Sequence, residues 1–347
     1  MTSLRKPPLT LRREIIKVPG AGWFRLALAT AALCGVLAGC RPRDSADIDR
    51  RTQAAREAVG RAREATHSAQ EIRARAQAEA EAEARIRAGD RRPDERCDDP
   101  AFAAAARRND ENLRELTWAP FRRPETGWAT YAPLVAREIG TQCPPGSPGF
   151  ARALARWQAR QKAAPTGALD EATFVRMKGL WQGERPFVLI SSRGICPGPP
   201  DDSRLALARP DESYGGKQIL LRRGALEAYR RMVRAARAES PQIARDTRNL
   251  QIFSGFRSPE YDAARCARDG NCDGVARATC SPPRTGLALD LSVGAAEGFG
   301  PDSSADENRR FIARSASYEW LVANAERFGF VNYPFEPWHW EWTGEQP

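Results

Sequence analysis

The chain reads as an α+β protein in which a small antiparallel sheet flanked by helices forms the C-terminal half. Three observations predict this. Strand-like runs at Leu250–Phe253, Leu287–Leu291 and Phe335–Trp342 are interleaved with apolar stripes at helical spacing, without regular strand–helix–strand alternation. Between residues 97 and 185 the pattern is helical, with capping residues where helices should begin. From Asp44 to Arg92 the composition turns to Ala, Arg, Glu and Gln with no proline, which predicts a long helical stalk. The expected divisions are 1–39, 40–96, 97–185 and 186–347, and 347 residues suffice for more than one core.

The first division is a signal peptide. Arg5, Lys6, Arg12, Arg13 and Lys17 precede the apolar run from Trp23 to Leu37, interrupted by Arg25, which closes on Leu37-Ala-Gly-Cys40. The run is short for a membrane span and ends in small residues. Its ending resembles a bacterial lipobox, which implies lipidation of Cys40 after cleavage, membrane attachment through that lipid, and the periplasmic side of a bacterial envelope. Arg41 rather than Asp follows the Cys, so by the same resemblance the outer membrane is the favoured destination. The net charge of +10 favours anionic partners. No nucleic-acid-binding signature accompanies it, so lipid head groups and wall polymers are expected, and no nucleic acid.

The stalk, 40–96, carries few large apolar residues (Ile48, Val59, Ile72, Ile86), too sparse a seam for a coiled coil. Its Glu/Arg neighbours three and four apart support a solvated helix or a partly disordered tether. About fifty helical residues would span about 75 Å. His67 reads as a solvated surface residue. With Cys34 in the signal and Cys40 lipidated, six cysteines remain, an even number that suits up to three disulfides in an exported chain. Cys266 and Cys272 bracket a turn-rich loop and are the first expected pair. Cys97 with Cys143 is the second.

In the helical division, Phe150, Leu154 and Trp157 share one face, followed by Gln158 and then Gly167-Ala-Leu169-Asp170-Glu-Ala-Thr173, with Asp170 as the expected N-cap. This run resembles the second half of the small three-helix peptidoglycan-binding domain; a spacer using the same cap is the alternative. Pro186-Phe-Val-Leu-Ile190 reads as a strand opening the last division. A helix with the stripe Leu226, Tyr229, Met232 and Val233 follows, and a second from Tyr318 to Phe328 is stopped by Gly329.

Three runs in the last division carry chemistry: Ser254-Gly-Phe-Arg257-Ser, Ser281-Pro-Pro-Arg-Thr-Gly-Leu-Ala-Leu-Asp290 and Glu336-Pro-Trp338-His339. Together they resemble the D-alanyl-D-alanine carboxypeptidase and dipeptidase family of the vancomycin-resistance type, zinc peptidases that trim peptidoglycan stem peptides. The resemblance implies Asp290 and His339 as zinc ligands, Glu336 as general base and Arg257 as the group holding the developing oxyanion. It further implies substrate contacts for Ser281 and Trp338. One fixed position departs: Pro283 stands where the family has its first zinc-binding His, and proline has no donor for a metal. Cys280, Asp273 or metal binding only with substrate would be substitutes. The expectation is a zinc-dependent hydrolase acting near the D-alanyl end of a stem peptide. The alternative is a non-catalytic peptidoglycan-binding lipoprotein that tethers membrane to wall.

Overall fold

A computed structural model describes residue 53, residues 96–270, residue 272 and residues 280–347. The signal peptide, Cys40, nearly all of the stalk, His67 and Asp273 lie outside the described residues. Residues 91–347 gather into one compact α+β unit.

The helical part begins with α1 (Ala103–Glu115) and a short hairpin, β1 (Thr117–Trp118) with β2 (Glu125–Thr126). Gly127, at a φ of 72°, closes the hairpin where any Cβ would collide with the Leu113 carbonyl. Three further helices follow: α2 (Ala132–Ile139), α3 (Pro148–Arg160) and α4 (Glu171–Gly183). Proline near the start of α3 and the hydroxyl of Ser147 set its beginning. Asp170 caps α4 as expected, its carboxylate accepting from the Thr173 N–H at 2.7 Å. The Cys97–Cys143 disulfide ties the entry of this part to the turn before α3.

The turn between α3 and α4 is built on two buried amides. Gln158 accepts from the Gly167 N–H at 2.8 Å and donates to the Ala168 carbonyl and the Thr173 hydroxyl. Asn109 of α1 accepts from the Leu169 N–H at 2.8 Å and donates to the Gly167 carbonyl. The Gln and the Gly-x-Leu-Asp-x-x-Thr run of the sequence are therefore one hydrogen-bonded object, with the N–H groups of Gly167, Ala168 and Leu169 satisfied from side chains.

Residues 186–190 correct the strand expectation: they form a helix, α5 (Pro186–Ser191). Proline at the first position is suited to a helix start. The decisive partner lies 154 residues away: the carboxylate of Glu341 accepts from the Phe187 N–H at 3.0 Å. A negative charge at a helix N-terminus offsets its unsatisfied amides, and tertiary context overrides the β-branched composition.

The remainder is the sheet and its helices. A hairpin, β3 (Leu205–Leu207) with β4 (Leu220–Arg222), leads into α6 (Arg223–Glu239) and α7 (Pro241–Ala244). Leu226, Tyr229, Met232 and Val233 of α6 are all buried, as their spacing predicts. Then come β5 (Ile252–Ser254), α8 (Pro259–Asp269), β6 (Ala288–Leu291), α9 (Asp306–Ile312), α10 (Ala316–Asn324), β7 (Phe330–Asn332) and β8 (His339–Trp342). The order β5-β6-β8-β7 is antiparallel throughout, and Gly329 ends the turn after α10 at a φ of 81°.

The change at 185/186 lies inside this one unit. Arg309 of α9, fully buried, donates to Tyr131 Oη at 2.6 Å and to the Phe335 carbonyl at 2.8 Å, and pairs with Glu125 at 3.1 Å. Phe121 packs its ring against Tyr131, Tyr333 and Phe335 at the same junction. Arg185 bridges to β8, and Cys196 is bonded to Cys280 just before the middle motif. The third disulfide is the expected Cys266–Cys272.

Substituting Gln158→Ala should destabilise the chain by about 1–3 kcal/mol, the cost of leaving a buried N–H without its acceptor. Urea denaturation measures it; an unchanged midpoint would show that the turn holds without the amide.

Candidate functional site

The site lies where β6 and β8 run side by side. Their register sets Asp290 opposite His339, and side chains two apart on a strand share a face, so Glu341 follows His339 on that face. His339 Nδ1 lies 2.7 Å from Asp290 Oδ1. Its Nε2 is buried without a hydrogen bond, 3.5 Å from Glu341 Oε1. Arg185 closes the row, with its Nε donating to Glu341 Oε1 at 2.8 Å and its terminal nitrogen at 2.6 Å. Charges therefore alternate along the face: Asp290, His339, Glu341, Arg185.

This alternation governs protonation. Burial opposes a charged imidazole at His339, but the hydrogen bond to Asp290 and the charge of Glu341 outweigh it and raise its pKa to about 9. Burial likewise opposes the Glu341 carboxylate, and Arg185 with His339 more than reverses that, holding it at about 2.

A second cluster comes from the loop after β5 and the start of α8. Ser258 caps α8, its hydroxyl accepting from the Tyr261 N–H. That places Asp262 in the first turn, buried, facing back toward the loop. Arg257 Nε donates to Asp262 Oδ1 at 2.9 Å, and the Ser281 hydroxyl donates to its other oxygen at 2.6 Å. Ser281 opens a tight turn, Pro282–Thr285, ended by Gly286 at a φ of 68°, from which β6 starts. The left-handed geometry there explains the glycine of the motif.

Both clusters face one cavity of about 120 Å³, whose lining includes Arg257, Ser281, Asp290, Glu336, Trp338 and His339. All six residues singled out in the C-terminal sequence thus meet. Glu336 sits on the turn before β8, its carbonyl accepting from the His339 N–H at 2.8 Å. Burial is the main reason its carboxyl pKa is raised; His339 partly offsets this, and Asp290 adds to it. Sequence reading missed Asp262, Glu341 and Arg185. An acid between Trp340 and Trp342 in an apolar strand was the available signal for Glu341.

A zinc ion of the family kind does not fit these residues. A catalytic zinc needs three protein donors and an open position. Pro283 supplies none; its carbonyl accepts from the Arg257 N–H. Cys280, the nearest substitute, is bonded to Cys196. Asp290 and His339 are engaged with each other, and the other imidazole nitrogen faces Glu341. Among the described residues no group of three or more His, Cys, Asp or Glu side chains is placed to hold a metal.

Because the Glu341 pKa lies below its ordinary value of 4.5, its contribution to stability is present above about pH 4.5 and lost as pH falls toward about 2. Glu341→Gln should cost about 3–5 kcal/mol, since it leaves Arg185 buried without its counter-charge. It should also flatten stability over that pH range. Denaturation midpoints measured from pH 6 to 2 check both effects.

Residues 218–345 match the family model VanY, D-alanyl-D-alanine carboxypeptidase. No curated protein matches the chain. Among solved structures, it is similar to the LdcB LD-carboxypeptidase, a structure described as revealing the molecular basis of peptidoglycan recognition. That likeness is at 25% identity over 43% of this chain and 72% of the other, with a TM-score of 0.31. With the motif residues gathered in one cavity and the match spanning the sheet, residues 218–345 are a domain of the D-alanyl-D-alanine carboxypeptidase family.

Proposed function

We propose that this domain takes the D-alanyl end of a peptidoglycan stem peptide into the cavity and holds it without a zinc ion of the family kind. The observation that carries the reading is the mismatch within one cavity. Arg257, Ser281, Glu336 and Trp338 are assembled there, while the family's third metal donor is Pro283 and Cys280 is bonded elsewhere. Arg257 is the group for a substrate carboxylate or carbonyl oxygen, since a guanidinium fixed by Asp262 keeps donors for a second acceptor. Trp338 supplies an apolar wall and Ser281 a hydroxyl. These residues are distinct from Asp290 and His339, the two that match the family's metal ligands.

Hydrolysis, the activity named for the family, is the second reading. The raised Glu336 carboxyl favours it, because a base that works near neutral pH needs such a shift, and Arg257 beside it suits an oxyanion. Among the described residues the donors do not make up the family's zinc site.

In the whole chain, the lipobox at Cys40 would anchor the protein to the outer membrane on its periplasmic side. The stalk would span toward the wall, and the helical part around Gln158 would add a second wall contact. This arrangement makes a tether between membrane and peptidoglycan.

A pentapeptide ending in D-alanyl-D-alanine should bind with the same affinity with or without added zinc, with no release of D-alanine. Arg257→Ala should weaken binding about 10-fold, the loss of one charge-assisted hydrogen bond. Calorimetry and a D-alanine assay read the two results. Release that requires zinc and disappears in Glu336→Ala would establish hydrolysis instead. Separately, processing at Cys40 should be sensitive to globomycin and lost in Cys40→Ser; a chain of unchanged mass would remove the anchor from this reading.

A further inference from the structure

Of the three disulfides among the described residues, Cys196–Cys280 differs in where its sulfurs lie. Cys196 sits in the exposed loop that follows α5, and Cys280 is half-buried at the head of the middle motif. By contrast, Cys143 of the first bond and Cys266 of the third are only 2% and 1% exposed. Ile195, the residue before Cys196, leaves 55% of its surface in solvent, so an apolar side chain flanks the accessible sulfur. The bond's second distinguishing feature is a cation. Arg284 Nη1 lies 2.7 Å from Cys196 Sγ, brought there by the turn Pro282–Thr285. Glu260 also feels this guanidinium, but it is exposed, where solvent screens the interaction.

A disulfide carries no charge and gains little from a guanidinium beside it. The thiolate left by reduction gains much more, because a neighbouring arginine holds a cysteine thiol below its ordinary pKa of about 8.5. A disulfide whose reduced form is stabilised in this way is the easier one to reduce. The same charge draws an anionic attacker to the exposed sulfur.

We infer that Cys196–Cys280 is a thiol–disulfide exchange site whose reactant is a protein dithiol. One thiolate of the dithiol attacks Cys196 Sγ, forming a mixed disulfide and expelling Cys280 as a thiolate. Cys280 takes the proton of the reactant's second thiol. The thiolate so formed attacks the reactant's own sulfur in the mixed disulfide, and Cys196 leaves as a thiolate against Arg284. Two electrons pass from the dithiol, which becomes a disulfide, to this chain, which ends with one thiol and one thiolate.

The place of the bond gives the exchange a consequence. Cys280 precedes Ser281, whose hydroxyl donates to Asp262 at 2.6 Å, and Asp262 in turn holds Arg257. Opening the bond releases the start of the loop that carries Ser281. Arg284, further along that loop, keeps its contact with Cys196, so the two segments stay adjacent for the bond to re-form. None of this rests on the stem-peptide reading.

The test equilibrates the full chain in glutathione buffers of graded oxidised-to-reduced ratio, then tags free thiols and locates them by peptide mass spectrometry. Cys196–Cys280 should open while Cys97–Cys143, the internal reference for an intact fold, stays closed. Arg284→Ala should move that opening about 10-fold toward more reducing buffer, the equivalent of about one unit of thiol pKa. Arg284→Lys should restore part of the shift. A second measurement mixes the chain with reduced thioredoxin whose resolving cysteine is replaced by serine. A covalent adduct should form on Cys196, leaving Cys280 as a free thiol. Opening of Cys196–Cys280 only together with or after Cys97–Cys143, an unchanged midpoint in Arg284→Ala, or an adduct that is absent or carried by Cys280 would overturn the exchange site.

Discussion

The structure depends on one buried carboxylate. Glu341 receives the Arg185 guanidinium, the backbone N–H that starts a helix at Phe187, and the charge of His339 in the site. Taking a carboxylate out of water is costly, and it is tolerated only where its oxygens are satisfied by strong donors. Here those donors come from the end of the helical part and from the sheet. The same group therefore sets the path of residues 185–191, joins the two halves of the compact unit, and fixes the electrostatics behind the candidate site.

That arrangement bears on what the domain does with Asp290 and His339. In a metal site, imidazole and carboxylate are held apart by the ion they share. In this protein they close directly on each other, and the imidazole has carboxylates at both nitrogens. The row Asp290, His339, Glu341, Arg185 alternates in charge, with His339 Nε2 left buried without a hydrogen bond. Arg257, Ser281 and Asp262 form a separate satisfied cluster across the cavity. Arg257, Ser281, Glu336 and Trp338 share the cavity with Asp290 and His339, while Pro283 and the bonded Cys280 offer no further metal donor.

Much of this was legible in the residues. The three motif runs named Arg257, Ser281, Asp290, Glu336, Trp338 and His339, and the fold brings all six to one cavity. The cap at Asp170, the stripe on the helix from Arg223 and the Cys266–Cys272 pair followed from local spacing, and Cys97–Cys143 was expected as a staple of the helical part. What was not legible depends on distant partners. Pro186–Ile190 has strand composition, and only a carboxylate 154 residues away makes it helical. Asp262 looks like an ordinary acid in a helix's first turn until the loop folds back onto it. The bond from Cys280 to Cys196 was one of several pairings the count allowed, and it was the one that mattered for the metal.

The Cys196–Cys280 bond also separates the inherited unit from the folding unit. The family match begins at residue 218, downstream of both Cys196 and Arg185. A fragment cut to those boundaries would keep every motif residue yet lose the counter-charge of Glu341. It would also carry a free thiol at Cys280, three residues before Pro283. Such a fragment would add a thiol donor that the intact chain holds in a disulfide. Metal uptake by an excised domain would therefore report on the excision, and only the chain with its upstream segment reports on the protein.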